Sequence, residues 1–139
     1  MVVRALLPDE VGNVEAAELV FGDTPCVTSA ISLVEVSGAL AAARRAERLD
    51  ERTLARLLPT PTGLPGANIA VLALDPVPTL VRARELVIDH RLRALDAIHL
   101  AVADLDARRL AEPDLDLHFA TRDADQAVAA RALGLLTDP

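Results

Sequence analysis

Apolar residues recur along this chain at two spacings, one typical of helices and the other typical of strands. Apolar positions three and four residues apart predict helices over about residues 10–20, 30–48, 50–58, 79–90, 95–110 and 123–133. Short β-branched or continuous apolar runs predict strands over residues 25–29, 68–74, 117–121 and 134–137. The alternation of strands and helices predicts an α/β fold, with a mostly parallel sheet covered by helices on both faces. In such sheets ligands bind at the carboxyl ends of strands, so we expect the functional residues there.

Local signals predict where several of these elements begin and end. Ser29 and Asp50 are expected to cap the helices that follow them, because a side-chain oxygen accepts a hydrogen bond from an unpaired helical N–H. The segment PTPTGLPG, residues 59–66, predicts a loop. The run NIAVLAL beyond it predicts a buried parallel strand.

The composition is that of one domain, which we expect to extend over residues 1–139. Apolar residues make up 52% of the chain and charged residues 25%, so a core can form. The only cysteine, Cys26, excludes an internal disulfide and fits a reducing compartment. The first residues lack the apolar stretch of a signal peptide, and no apolar run approaches the roughly 18 residues of a membrane span. These features predict a cytoplasmic protein that does not contact a membrane.

The charged and aromatic residues exclude several classes of function. All 14 basic residues are arginines, and 21 acids give a formal net charge of −7. This charge disfavours sequence-independent binding to nucleic acid, but it permits an enzyme with a few arginines around an acidic, metal-holding cleft. The absence of lysine excludes Schiff-base chemistry and a Walker-type phosphate site. Phe21 and Phe119 are the only aromatic residues, which excludes a base-stacking platform.

Two acids lie in apolar helical surroundings. Glu35 has Ile31 and Ala39 as its neighbours one turn away, and burying a carboxylate there is costly unless it is paired or bound to a cation. A glutamate at the helix edge, paired with an arginine, is the alternative. Asp96 lies in RALDAIHLAVA, where aspartate is a poor residue for a helix interior. Its alternative is a cap or first-turn position, which would still leave an oxygen for a metal.

A third acid follows a predicted strand. Asp123 comes directly after FAT and opens the next helix, which is where an α/β active site usually lies but also where ordinary helix caps occur. Thr121, two residues earlier, either helps to hold a water or metal or simply ends the strand. Converging carboxylates repel each other unless a cation lies between them, and oxygen ligands favour Mg²⁺ or Mn²⁺ over zinc. The sequence therefore predicts a metal site formed by Glu35, Asp96 and Asp123.

The segments that carry these acids resemble those of a known family. TSAISLVEVSGALAAA, LRALDAIHLAVA and FATRDADQAVAARALGL, in this order, resemble the PIN-domain family and are most similar to the VapC-like toxins of bacterial toxin–antitoxin pairs. The resemblance implies a three-layer α/β/α fold with a mostly parallel central sheet. It implies a homodimeric, Mg²⁺- or Mn²⁺-dependent endoribonuclease that acts as the toxin of a type II pair, with RNA as substrate and a VapB-like antitoxin as partner. It also implies that Glu35, Asp96 and Asp123 are catalytic and bind the metal, with Thr121 in support.

The chain departs from the family pattern at its beginning. Family members start with a strand that ends in a further aspartate, whereas this chain starts at MVVRALLPDE, which resembles the segment just after it. We therefore expect the N-terminal strand and its acid to be missing from this sequence, since Asp9 lies too far along to replace it. A start codon placed too late and a genuine truncation are both open explanations.

Two other classes of function stay open. The chain is either a nuclease or a catalytically impaired PIN domain that binds an antitoxin or dimerises, for which the alanine-rich residues 39–43 beside Arg44 and Arg45 would provide a surface. A phosphotransfer domain of the receiver or haloacid-dehalogenase type would also be α/β with acids around Mg²⁺. That class generally needs a lysine, and the D-x-D pairs here, at 104/106 and 114/116, do not follow a leading strand.

Overall fold

The computed structural model describes residues 1–111 and 116–137. In them the chain is a mixed α/β structure that divides into two compact units, Met1–Val71 and Leu72–Pro139. No helix within the described ranges is both long and apolar enough to cross a membrane.

The first unit combines four helices with a pair of short strands. In chain order these elements are α1 (Val2–Leu6), α2 (Asn13–Phe21), β1 (Cys26–Ser29), α3 (Ile31–Arg45), α4 (Glu51–Leu57) and β2 (Ile69–Leu72). The two strands pair in parallel. The core of this unit packs α1 and α2 against α3, with Leu7, Val20 and Leu40 among its buried side chains. The helical spacing of apolar residues thus buries one face of α3, as expected, whereas α4 has no buried residue.

The second unit is mainly helical. Its elements are α5 (Pro76–His90), α6 (Ala94–Val102), a π-helical segment (Ala103–Ala107), α7 (Arg108–Leu110) and α8 (Ala124–Ala132). Leu86, Leu100 and Leu135 lie fully buried in its core. Small side chains such as Ala97 and Ala129 allow α6 and α8 to approach closely. This close approach determines the geometry of the candidate site.

Several predicted elements are confirmed with shifted ends. The predicted helix over 95–110 is observed as α6, the π-helical segment and α7, which follow one another without a break. Asp50 caps α4 as predicted, because its carboxylate accepts a hydrogen bond of 2.6 Å from the backbone nitrogen of Thr53. The predicted loop at 59–66 is also confirmed, and it contains an antiparallel bridge between Thr60 and Gly63.

The predicted cap at Ser29 is wrong. Ser29 is the last residue of β1, and α3 begins at Ile31 with Ala30 in the capping position and no capping side chain. Ser29 lies one residue before the capping position, and Ala30, which occupies that position with helical backbone, has no side-chain oxygen to accept a hydrogen bond.

The predicted strands are shorter than expected. In β2 only Ile69 is buried, so the prediction of a buried strand is wrong for the other three residues. The sheet has two strands, so β2 lies at its edge and is covered less than a central strand would be. In the described part of the second unit, the strands predicted over 117–121 and 134–137 are reduced to one parallel bridge between His118 and Leu136. Gly134, with a φ of 76°, ends α8 and turns the chain back toward this bridge.

Candidate active site

Asp96 lies in the first turn of α6. Arg93 occupies the capping position with extended backbone, and Asp96 is the third residue of the helix that follows. The positive end of the helix dipole favours a carboxylate at this position, so the aspartate does not oppose helix formation. The first-turn interpretation of Asp96 is therefore confirmed, and it is compatible with a functional role because the residue is only half-buried.

Asp123 caps α8. Its Oδ1 accepts a hydrogen bond of 2.9 Å from the backbone nitrogen of Gln126, three residues later. Its own backbone nitrogen donates to the Oγ1 of Thr121 over 3.1 Å. Thr121 thus orients the turn that precedes the helix.

Gln126 connects the two helix starts. Its side-chain Nε2 donates to the backbone oxygen of Asp96 over 3.0 Å, and its Oε1 accepts from the Thr121 hydroxyl over 2.6 Å. The residue is only 6% exposed. Asp96, Thr121 and Asp123 therefore belong to one hydrogen-bonded cluster, which we call the Gln126 cluster.

Glu35 lies in the first unit, on α3, and is half-buried. The structure thus brings Asp96, Thr121 and Asp123 together in the second unit and holds Glu35 on another element in the other unit. Its neighbours one turn away, Ile31 and Ala39, are also half-buried, as the apolar spacing predicts.

The chemistry of the Gln126 cluster fits a hard divalent cation. Carboxylate and hydroxyl oxygens are the ligands that Mg²⁺ and Mn²⁺ prefer, and Asp96, Asp123 and Thr121 offer them. Within the described ranges, no three His, Cys, Asp or Glu side chains gather closely enough to hold a metal. The cluster joins two acids, Asp96 through its backbone oxygen and Asp123 through its carboxylate, and a complete ligand set needs further oxygens from water, substrate or another acid.

Gln126 was not identified from the sequence, although a signal for it exists. An N-cap aspartate followed three residues later by glutamine is a capping-box pattern, in which the glutamine side chain normally returns to the cap nitrogen. Here the Thr121 hydroxyl accepts from that nitrogen instead, and the glutamine side chain turns toward α6. The pattern predicts the helix start, but it does not predict a partner 30 residues away.

Other charged residues near the cluster differ in their roles. Arg93 and Arg122, which flank the two acids in sequence, are both exposed. Asp104 is half-buried in the π-helical segment, where it pairs with Arg82 at 2.9 Å and with Arg108 at 3.0 Å, so it acts as a structural ion pair. Of the second D-x-D pair, the residue at 114 lies outside the described residues.

An open pocket of about 240 Å³ lies beside the start of α8. Its lining consists of Asp89, His90 and Arg91 at the end of α5, with Asp125 and Val128 on α8. The pocket carries both signs of charge and contains neither Asp96 nor Asp123. It is therefore separate from the Gln126 cluster.

The chain matches none of the protein-family models, curated proteins or solved structures with which it was compared. The assignment to the PIN-domain family thus stays a prediction from the residues quoted above.

Proposed function

We propose that this chain is a metal-dependent endoribonuclease of the PIN-domain kind, acting as the toxin of a bacterial type II toxin–antitoxin pair. The observation that carries the proposal is the hydrogen bond from Gln126 Nε2 to the backbone oxygen of Asp96. This bond holds the first turn of α6 beside the first turn of α8, and each turn carries an acid of the expected site. The proposal includes the family's three-layer α/β/α arrangement around a mostly parallel central sheet, with which the parallel pair of β1 and β2 agrees in strand direction.

In this proposal Asp96 and Asp123 hold Mg²⁺ or Mn²⁺. When bound, such an ion lowers the pKa of a water molecule and stabilises negative charge on the phosphate. The Asp123 carboxylate is held in one orientation by its cap bond through Oδ1, and the turn before it is held by Thr121. A carboxylate of the cluster accepts the proton that the attacking water releases.

Arginines beside the acids supply the contacts that RNA requires. Arg93 immediately precedes α6, and Arg122 lies between Thr121 and Asp123. Both side chains are exposed, and a guanidinium binds phosphate through paired hydrogen bonds. This local positive charge attracts the RNA phosphates to the site, although the net charge of the chain is −7.

A catalytically impaired PIN domain is the second candidate. It would engage a VapB-like antitoxin, or a second copy of the chain, in the cytoplasm without cutting RNA. The observation that favours it is that α5 carries exposed aliphatic residues, including Val77, Leu80 and Ile88. The alanine-rich segment on α3 offers less surface than expected, because Leu40 and Ala43 are buried in the core.

The experiment that tests the proposal measures cleavage of a structured RNA by the full chain with Mn²⁺. An EDTA control and an Asp96→Asn variant accompany it. Asp106→Asn is the matched control, because it removes the same charge from the π-helical segment that follows α6. We expect cleavage by the wild type and by Asp106→Asn, and none with EDTA or in Asp96→Asn. A folded wild type that leaves the RNA intact would support the impaired-domain candidate instead.

A further inference from the structure

The environment of Gln126 determines the orientation of its side-chain amide. The backbone oxygen of Asp96 can only accept a hydrogen bond, so the nitrogen Nε2 must face α6. The oxygen Oε1 then faces Thr121, whose hydroxyl accepts from the Asp123 nitrogen and donates its own hydrogen to Oε1. Every polar atom of the Gln126 side chain thus has a partner with the correct donor or acceptor character.

The same residue also completes the cap of α8, because its backbone nitrogen donates to Asp123 Oδ1. The two hydrogen bonds of the Gln126 side chain and the one of its backbone nitrogen reach Asp96, Thr121 and Asp123. All three are residues that the sequence assigns to the site. A buried polar side chain whose bonds all go to site residues affects the geometry of the site directly.

We infer that Gln126 is the positioning residue that holds Asp96 and Asp123 in register, an inference that rests on the proposed nuclease function. It acts through the backbone of one acid and the cap of the other, without contacting substrate itself. Because carboxylates that share a cation must be placed accurately, loss of such a support typically lowers metal affinity or activity by 10–100-fold, and we expect an effect of about that size.

Two substitutions separate the contributions of the amide. Gln126→Leu removes both the donor to Asp96 and the acceptor for Thr121 at similar volume. Gln126→Glu retains the acceptor for Thr121, but its carboxylate repels the Asp96 carbonyl instead of donating to it. Leu86→Ala is the control, because it weakens the core of the same unit and Leu86 forms none of the hydrogen bonds of the Gln126 cluster.

The test compares these variants at equal concentrations of folded protein, measured by urea unfolding. We expect both Gln126 variants to bind Mn²⁺ about tenfold or more weakly and to show a reduced kcat with an unchanged KM. Leu86→Ala should keep the Mn²⁺ affinity and kcat of the wild type. Gln126 variants that match the wild type in both quantities would overturn the inference.

A second readout keeps the inference separate from the proposed function. Backbone NMR of Gln126→Leu should show shift changes concentrated in the first turns of α6 and α8, whereas Leu86→Ala should change the interior of the unit. If the wild type neither binds Mn²⁺ nor cleaves RNA, the proposed function fails, and the inferred role in a metal site fails with it. If the wild type is active, but Gln126→Leu changes the chemical shifts around Asp96 no more than Leu86→Ala does, only the inference fails.

Discussion

The side-chain Nε2 of Gln126 lies 3.0 Å from the backbone oxygen of Asp96, although the two residues are 30 positions apart in the chain. This contact joins the N-terminal turn of α6 to that of α8. Each of the two helix starts carries an acid: Asp96 lies in the first turn of α6, and Asp123 caps α8.

Two substitutions of Asp123 distinguish the charge that it brings to the site from its contribution to the stability of α8. Asparagine caps helices as well as aspartate does, so Asp123→Asn should keep the bond to the Gln126 nitrogen and change the free energy of unfolding by less than about 0.5 kcal/mol. Asp123→Ala should cost about 1 kcal/mol because the cap is lost. The rate of RNA cleavage, however, should fall by about 100-fold or more in both variants, because both lose the carboxylate. Full cleavage by Asp123→Asn would remove this acid from the site.

Asp104 and Asp106 form a matched pair in the π-helical segment. The Asp104 side chain is 16% exposed and bridges Arg82 and Arg108, so Asp104→Asn should reduce the free energy of unfolding by about 2 kcal/mol. The Asp106 carboxylate lies 3.8 Å from the guanidinium of the exposed Arg109, so Asp106→Asn should change the free energy of unfolding by less than about 0.5 kcal/mol. Urea unfolding of the two variants measures the difference. Equal effects would show that the bridge contributes no special stability.

Thr79 has a fully buried hydroxyl for which no partner is found among the described residues. A buried hydroxyl without a hydrogen bond costs free energy, so the similarly shaped Thr79→Val should stabilise the protein by about 1 kcal/mol. Thr79→Ala should instead destabilise it, because packing is lost in addition to the hydroxyl. Thermal unfolding distinguishes the two. A Thr79→Val variant as unstable as Thr79→Ala would indicate that the hydroxyl is hydrogen-bonded in the folded protein.

An exposed ion pair ties the segment after α3 to the turn between α1 and α2. Arg48 donates to both oxygens of Asp9 and also to Glu10, and its guanidinium lowers the pKa of the Asp9 carboxyl below the ordinary value of 3.8. A lowered pKa in the folded state means that this stabilisation is fully present above pH 3.8 and is lost as the pH falls through the folded-state pKa. Between pH 5 and pH 2 the free energy of unfolding should therefore decrease less in Arg48→Met than in the wild type, as measured by urea unfolding. An unchanged acid profile would show that the pair contributes nothing to it.

The sequence predicted the helices better than the strands, for a physical reason. Helical spacing and the caps at Asp50 and Asp123 are local properties, and the corresponding helices are observed. The helix α1, at five residues, is too short to show a period and was not predicted. The strand predicted over 117–121 depended on partners, and it is reduced to a bridge at His118.

The candidate site was partly predictable for the same reason. Asp96 could be singled out by its apolar helical surroundings, and Asp123 and Thr121 by their position at the end of a predicted strand. Gln126 could not, because its role depends on a contact between α6 and α8 that no local pattern encodes. The π-helical segment was likewise not predicted from the sequence.

A double-mutant cycle tests whether Asp96 and Asp123 bind one metal ion together. The Mn²⁺ affinity of each variant is measured by titration, with electron paramagnetic resonance as the signal. If Asp96 and Asp123 hold one ion together, Asp96→Asn and Asp123→Asn should each weaken binding by about tenfold or more, and the double variant should lose less than the two separate losses combined. Asp106→Asn should bind Mn²⁺ as the wild type does. A wild type that binds Mn²⁺ no more tightly than the double variant would contradict the account.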